Sequence, residues 1–253
     1  MKTAHLAHIV RHPVKSAGYQ ELDRAALIQG RPMPFDRVWA VATEAAKFPA
    51  APEGWAAKMN FLRGAAEGRL QAIRARFDEA TGSLSLTHPD RPAFTGTLPA
   101  DGPALVAWLR PLWPANRPAP RALVQRQDGG ALTDVPDPFV AILSLGSLRD
   151  LGSRMGRALS IHRFRGNLWI EGWAPWAEVD LIGNEITLGE TRLRIEEPIT
   201  RCVATTYDPE TGEAAGDTLA ALQAGWGHQD FGVYARVLNS GTVATGDRVE
   251  ITP

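Results

Sequence analysis

Glu185-Ile-Thr-Leu-Gly-Glu-Thr-Arg-Leu-Arg-Ile-Glu196 places Ile186 and Leu188 before Gly189 and Leu193 and Ile195 after it, with polar residues between. A period of two on both sides of a turn residue predicts a β-hairpin. The same period recurs upstream, where Ile73, Ala75 and Phe77 alternate with Arg74 and Arg76, Asp78 to Gly82 supplies turn chemistry, and Ser83-Leu-Ser-Leu-Thr87 alternates again. Downstream, Phe231 to Leu238, the turn Asn239-Ser-Gly241 and Thr242 to Thr252 repeat the pattern and predict a further hairpin. The 24 glycines and 19 prolines are spread along the whole chain, as many short strands joined by turns require.

Helices are fewer. Leu105, Trp108, Leu109 and Leu112 follow a helical stripe behind Asp101 as a cap, Leu148, Leu151 and Met155 make a second stripe, and a third helix is expected from Thr218 to Trp226. No repeat of fixed period is present. The pattern predicts a mainly β, α+β protein built as two packed β-barrel-like domains, with Pro111 to Pro120 as the joint.

A chain of 253 residues with 44% hydrophobic content can build a proper core, and a net charge of -1 excludes a sequence-independent attraction to nucleic acid or anionic lipid. Met1 to Ser16 holds no apolar segment long enough for a signal peptide or membrane span, so a cytoplasmic protein is expected. One cysteine, Cys202, excludes an internal disulfide framework and any multi-cysteine zinc or iron–sulfur site.

Four segments pair strand-like apolar residues with donors: His12-Pro-Val-Lys-Ser16, Asp36-Arg-Val-Trp39, Phe164-Arg-Gly-Asn-Leu168 and Arg201-Cys-Val-Ala-Thr-Thr206. Lys15, Ser16, Arg37, Arg165 and Asn167 can together bind a phosphate or a heteroaromatic edge; one at a time, each is an ordinary strand-end polar group. Cys202 has two readings on the same footing. It is a small buried hydrophobe between Arg201 and Val203, or a thiolate favoured by the adjacent cation. His5, His8 and His12 do not share one strand face and are read as ordinary polar residues rather than a metal site.

Taken in order, Pro13-Val-Lys-Ser16, Asp36-Arg37-x-Trp39, Phe164-Arg-x-Asn167, Arg201-Cys202, Thr205-Thr-x-Asp-Pro-Glu-Thr-Gly212, Phe231-Gly-x-Tyr234 and Gly241-Thr-x-x-x-Gly-Asp247 resemble the MOSC superfamily with its N-terminal MOSC β-barrel domain. Within it, the resemblance is to the amidoxime-reducing branch, and it spans almost the whole chain. It implies an N-terminal barrel domain over 1–120 and a MOSC domain over 121–253.

The resemblance also implies a molybdenum-molybdopterin cofactor. Cys202 would be the catalytic thiolate ligand to molybdenum, and Lys15, Ser16, Arg37, Arg165 and Asn167 would contact the pterin or its phosphate. Thr200 matches a family serine near the cofactor. Tyr234 matches a family tyrosine at the site, beside its other reading as a core aromatic. Thr205, Asp208 and Gly212 read as turn chemistry. Three positions depart from the family pattern: His12 replaces an aromatic residue, Gly166 replaces a proline, and in Leu132 to Phe139, where relatives bring a Thr or Ser toward the cofactor, this chain offers Asp134, Val135, Pro136 and Asp137. The implied activity is reduction of N-hydroxylated, N-oxide or S-oxide small molecules by a monomeric enzyme that receives electrons from a separate protein. The alternative is a cofactor-binding or sulfur-carrier module with a persulfide on Cys202, since the superfamily is named for the C-terminal domain of the molybdenum cofactor sulfurase.

Overall fold

The computed structural model describes residues 3–252. The 185–196 hairpin forms as read: Leu188 faces Thr191 and Glu185 faces Arg194 across an antiparallel ladder, with Ile186, Leu188, Leu193 and Ile195 wholly buried. It lies in an eight-stranded sheet whose order is Val249–Thr252, Glu185–Leu188, Thr191–Thr200, Asp230–Val237, Val140–Ser144, Leu168–Glu171, His5–Arg11 and Gln20–Leu22. Val140–Ser144 and Leu168–Glu171 run parallel, so the chain crosses over between them, through the helix Leu145–Arg154.

The sheet closes on itself. Leu6 N donates to Asp247 O at 2.8 Å and Val249 N donates to Ala4 O at 2.9 Å, so the strand at one end meets the first strand. Closure removes the unpaired edge that an open sheet would present. Inside the barrel, Ile9, Ile142, Leu168, Ile186, Leu193 and Val233 form the main core. Outside, Val10, Leu143, Trp169 and Phe231 are covered by Leu145–Arg154 and by Thr218–Trp226, the helices expected there.

A second core lies in the first half of the chain. Trp39–Thr43 pairs with Pro120–Gln125, and Arg74–Phe77, Ser83–His88 and Arg91–Thr97 form a three-stranded sheet that includes the 73–87 hairpin. The helix Gly102–Leu109 presents Leu105 and Leu109 to Val41, Ile73 and Leu84. Asp101 sits at its N-terminus, but its carboxylate accepts from Thr97 N at 2.6 Å instead of capping the helix. Among the described residues no helix is long and apolar enough to cross a membrane.

Two expectations are corrected. Asn239-Ser-Gly241 does not join a hairpin, because both sides of Asp230–Val237 are taken by Thr191–Thr200 and Val140–Ser144. Gly241–Ala244 pairs with Arg24–Leu27 instead, and Val249–Thr252 pairs with Glu185–Leu188. Nor is 111–120 a joint between halves. It leads from the helix Gly102–Leu109 into Pro120–Gln125, which returns to Trp39–Thr43 within the same core. A cut at residue 120 would also leave His5–Arg11 and Arg24–Leu27 on the wrong side of their pairing partners, Leu168–Glu171 and Gly241–Ala244.

Candidate functional site

All eight residues singled out in the sequence, Lys15, Ser16, Arg37, Arg165, Asn167, Thr200, Cys202 and Tyr234, line one cavity of about 390 Å³. Three are held in an unusual backbone state. Ser16, Arg37 and Arg165 have φ of 63°, 53° and 48°, the left-handed region that side chains with a Cβ seldom occupy. Local hydrogen bonds hold these turns: Arg37 N donates to His12 O at 2.6 Å, Leu132 N donates to Arg37 O at 2.8 Å, and Lys15 N donates to Trp39 O at 2.7 Å. Three such residues around one cavity concentrate backbone strain at its wall, a candidate place for ligand contacts. Gly166 follows from the same packing, since a Cβ there would lie 2.1 Å from Leu143 Cδ1.

Asp36 organises the cationic side of the site. Its Oδ1 accepts from His12 N at 2.8 Å and from His12 Nδ1 at 3.0 Å, and its Oδ2 accepts from Arg37 Nη1. Arg37 Nη2 continues to Arg165 O at 2.9 Å, linking two of the strained residues. Lys15 Nζ donates to Leu132 O at 2.8 Å and to Asp134 Oδ1 at 2.5 Å. The Leu132 to Phe139 segment therefore contributes a counter-ion to Lys15, and its Thr133 also lines the cavity.

Burial shifts these groups. It lowers Lys15 against the opposing pull of Asp134, and burial together with the Arg37 charge brings Arg165 down to about 9, still protonated at neutral pH. Arg165 Nη2 is buried without a hydrogen-bond partner. Burial also brings Arg201 down to about 10. Its guanidinium donates to Phe231 O at 2.7 Å and to Phe164 O at 2.8 Å, so it clamps the Ile161–Phe164 turn to the sheet.

Cys202 is partly exposed at the start of the short Val203–Thr206 turn. Its carbonyl accepts from Thr205 N and Thr205 Oγ1, both at 3.1 Å, and Thr205 Oγ1 lies 2.6 Å from Thr218 Oγ1. Gln71 Nε2 donates to Ala204 O at 3.0 Å, and Arg163 reaches Thr205 O at 3.3 Å and Asp208 Oδ2 at 3.4 Å. The thiol is thus carried on a turn pinned by both cores. Asp208 and Gly212 do form the following turn, with Gly212 N donating to Asp208 O at 2.8 Å.

The remaining expected residues divide. Asn167 is buried and braces two strands, donating to Val10 O and accepting from Ala141 N, each at 3.1 Å. One amide hydrogen is left for a ligand. Thr200 stands at the rim with its hydroxyl 2.5 Å from Asp230 Oδ1. Tyr234 stacks on Phe139 at 5.4 Å, and burial raises its hydroxyl, which stays protonated at neutral pH. Sequence reasoning missed Gln71, Arg163, Lys58 and Arg63, which also line the cavity. The last two come from an irregular stretch with no periodicity to flag them.

A metal here would depend on Cys202 and on ligands brought with it, because among the described residues no group of three or more His, Cys, Asp or Glu is placed to hold an ion. The donor set fits an anionic group attached to a thiophilic centre: one soft ligand, with buried cations of which one is incompletely satisfied. Arg165→Gly is expected to leave the chain as stable or up to about 1 kcal/mol more stable, by relieving the left-handed backbone, while phosphate-group binding is lost. Thermal unfolding and ligand titration on the same preparation check both halves.

The MOSC domain profile matches residues 130–250. The chain is 35% identical over 141 residues to mitochondrial amidoxime-reducing component 1 of Mus musculus, a match covering 51% of this chain and 40% of that protein. For the Homo sapiens protein of the same name the identity is 31% over 139 residues, covering 50% and 40%. A molybdenum cofactor sulfurase of Drosophila grimshawi is 29% identical over 96 residues, covering 37% of this chain and 12% of the relative. The chain thus matches well under half the length of these curated relatives. Residues 130–250 match the MOSC domain, and over about half its length the chain is similar to the mitochondrial amidoxime-reducing components.

Proposed function

We propose that the cavity holds a molybdenum-pterin cofactor and that the chain is an oxidoreductase acting on N-hydroxylated or other N–O and S–O compounds, re-reduced by a separate electron-donor protein. The observation that carries this reading is the single thiol opening into the same cavity as Arg165, whose buried Nη2 lacks an acceptor. Cys202 would be the protein ligand to the metal, and Lys15, Ser16, Arg37 and Arg165 would hold the pterin and its phosphate. When bound, the cofactor supplies the two-electron chemistry that removes an oxygen atom from the substrate.

The chain's own residues set the conditions for that chemistry. Asp36 fixes the Arg37 fork, Thr205 fixes the backbone of Cys202, and Tyr234 offers a protonated hydroxyl at the cavity wall. The similarity to the mitochondrial amidoxime-reducing components supports the substrate class. Protein made in a host that synthesises the cofactor is expected to contain molybdenum and pterin and to reduce benzamidoxime with a chemically reduced viologen. Bound molybdenum without turnover of any N–O or S–O compound would sink the catalytic claim.

A second reading, a sulfur-carrier module with a persulfide on Cys202, is favoured by the similarity to the molybdenum cofactor sulfurase. Intact-protein mass spectrometry separates the two: one sulfur added to the thiol supports the carrier, and a bare thiol with molybdenum in the metal analysis supports the enzyme.

A further inference from the structure

Seven basic side chains line the cavity against two acidic ones, Asp134 and Glu197. Most of the cations are answered within the protein. Lys15 pairs with Asp134, Arg37 with Asp36 and Arg163 with Asp208, and Arg201 is bonded to two carbonyls. Arg165 belongs to the cradle assigned above to the cofactor. That leaves Lys58 and Arg63, and among the described residues neither takes part in an ion pair or a side-chain hydrogen bond.

Both come from the wall built by the first half of the chain, separate from the Ile161–Phe164 turn that ends at Arg165 and from the strand that carries Tyr234. Arg63 is half-buried, and its position is fixed because its carbonyl accepts from Ala66 N at 2.9 Å and Glu67 N at 3.2 Å. Next to it, a Cβ on Gly64 would lie 3.2 Å from the Gln71 amide, the group that reaches Ala204 O two residues beyond Cys202. The Arg63 wall is therefore tied directly to the turn bearing the thiol. A guanidinium held at such a wall without an acceptor is a two-pronged receptor for a planar carboxylate. Lys58 adds a point charge whose field also reaches Asp134. Ala65, Val135 and Phe139 offer apolar surface in the same cavity for the body of the molecule.

We propose that the substrate of this cavity carries a carboxylate on a flat apolar body, bound by Arg63 with Lys58 at the mouth. The proposal rests on the oxidoreductase reading for the reaction, but not for the binding.

Its test uses the cofactor-loaded protein and two kinds of probe. Benzamidoxime and 4-carboxybenzamidoxime differ only in the carboxylate, and Arg63→Gln is expected to shift the ratio of their KM values about tenfold against the acid, as loss of one charge-assisted hydrogen-bonded pair does. 4-Carboxybenzamide has no N–O bond to reduce. Its affinity by calorimetry is expected to fall about tenfold in Arg63→Gln, to be largely kept in Arg63→Lys, and to fall less in Lys58→Gln. If neither amidoxime is reduced while 4-carboxybenzamide binding depends on Arg63, the reductase reading fails and the carboxylate site stands. Equal affinity of wild type and Arg63→Gln for 4-carboxybenzamide, or no preference for it over benzamide, overturns the proposal even where both amidoximes turn over.

Discussion

Asp36→Asn is expected to lower the stability of the folded chain by about 3–5 kcal/mol, read as a drop in denaturant midpoint at unchanged slope. The Asp36 carboxylate is 2% exposed and accepts from the backbone and ring of His12 and from Arg37. Its removal leaves the Arg37 and Arg165 guanidinium groups without their shared buried counter-charge. The pH dependence has a defined sign. Burial acts to raise the Asp36 carboxyl, but Arg37 and His12 outweigh it and hold it below the ordinary 3.8. A carboxyl lowered by folding stabilises fully above that value, and the contribution is lost as pH falls toward the folded one. Burial, reinforced by the Arg165 and Arg37 charges, also drives His12 well below 6.5. The unfolded chain then takes up a proton that the folded chain refuses, and stability declines from about pH 6.5 downward. The native protein is expected to weaken in these two stages, and Asp36→Asn to lack the lower one. Stability that stays flat from pH 7 to pH 5 would contradict a neutral buried His12.

What the sequence could reveal here follows from where the information sits. Alternation at 73–87 and 185–196 is a local signal, and both hairpins formed because each arm has its partner a few residues away. The pairing of Gly241–Ala244 with Arg24–Leu27 joins segments more than two hundred residues apart, and no periodicity within either segment names the other. Asn239-Ser-Gly241 therefore reads as a hairpin turn although its flanks belong to different ladders. The site follows the same division. Lys15, Arg37, Arg165 and Cys202 were legible because ordered motifs carry them, and the cavity gathers them. Asp134 as the partner of Lys15, and Asn167 as a brace between strands, depend on contacts more than twenty residues away and could be seen only in three dimensions.

The left-handed residues connect these two levels. Ser16, Arg37 and Arg165 pay in backbone strain for directing their side chains into the cavity, and the surrounding hydrogen bonds keep that strain from relaxing. Local propensity would place glycine or asparagine at such positions. Arg37 and Arg165, standing there against propensity, support the proposed cradle more firmly than their charge alone would.

Cys202→Ser is expected to reduce the molybdenum content of the purified protein at least tenfold while its circular dichroism spectrum and unfolding midpoint stay unchanged. The substitution is nearly isosteric, and the interactions that place residue 202 come from its carbonyl, which Thr205 holds through N and Oγ1 whichever side chain is present. The turn is thus conserved and only the donor atom changes. A cysteine sulfur is a soft ligand, whereas a serine hydroxyl is hard, so on the proposed reading a bound metal would lose its protein ligand without any loss of fold. Lys15, Arg37 and Arg165 remain, and pterin is expected to be retained at a lower but measurable level, which separates the metal ligand from the phosphate cradle. Elemental analysis alongside a pterin fluorescence assay on both proteins decides the matter. Molybdenum retained at the native level would remove Cys202 from the metal site, and loss of pterin as complete as the loss of metal would show that the thiol, not the cationic cradle, supplies most of the binding.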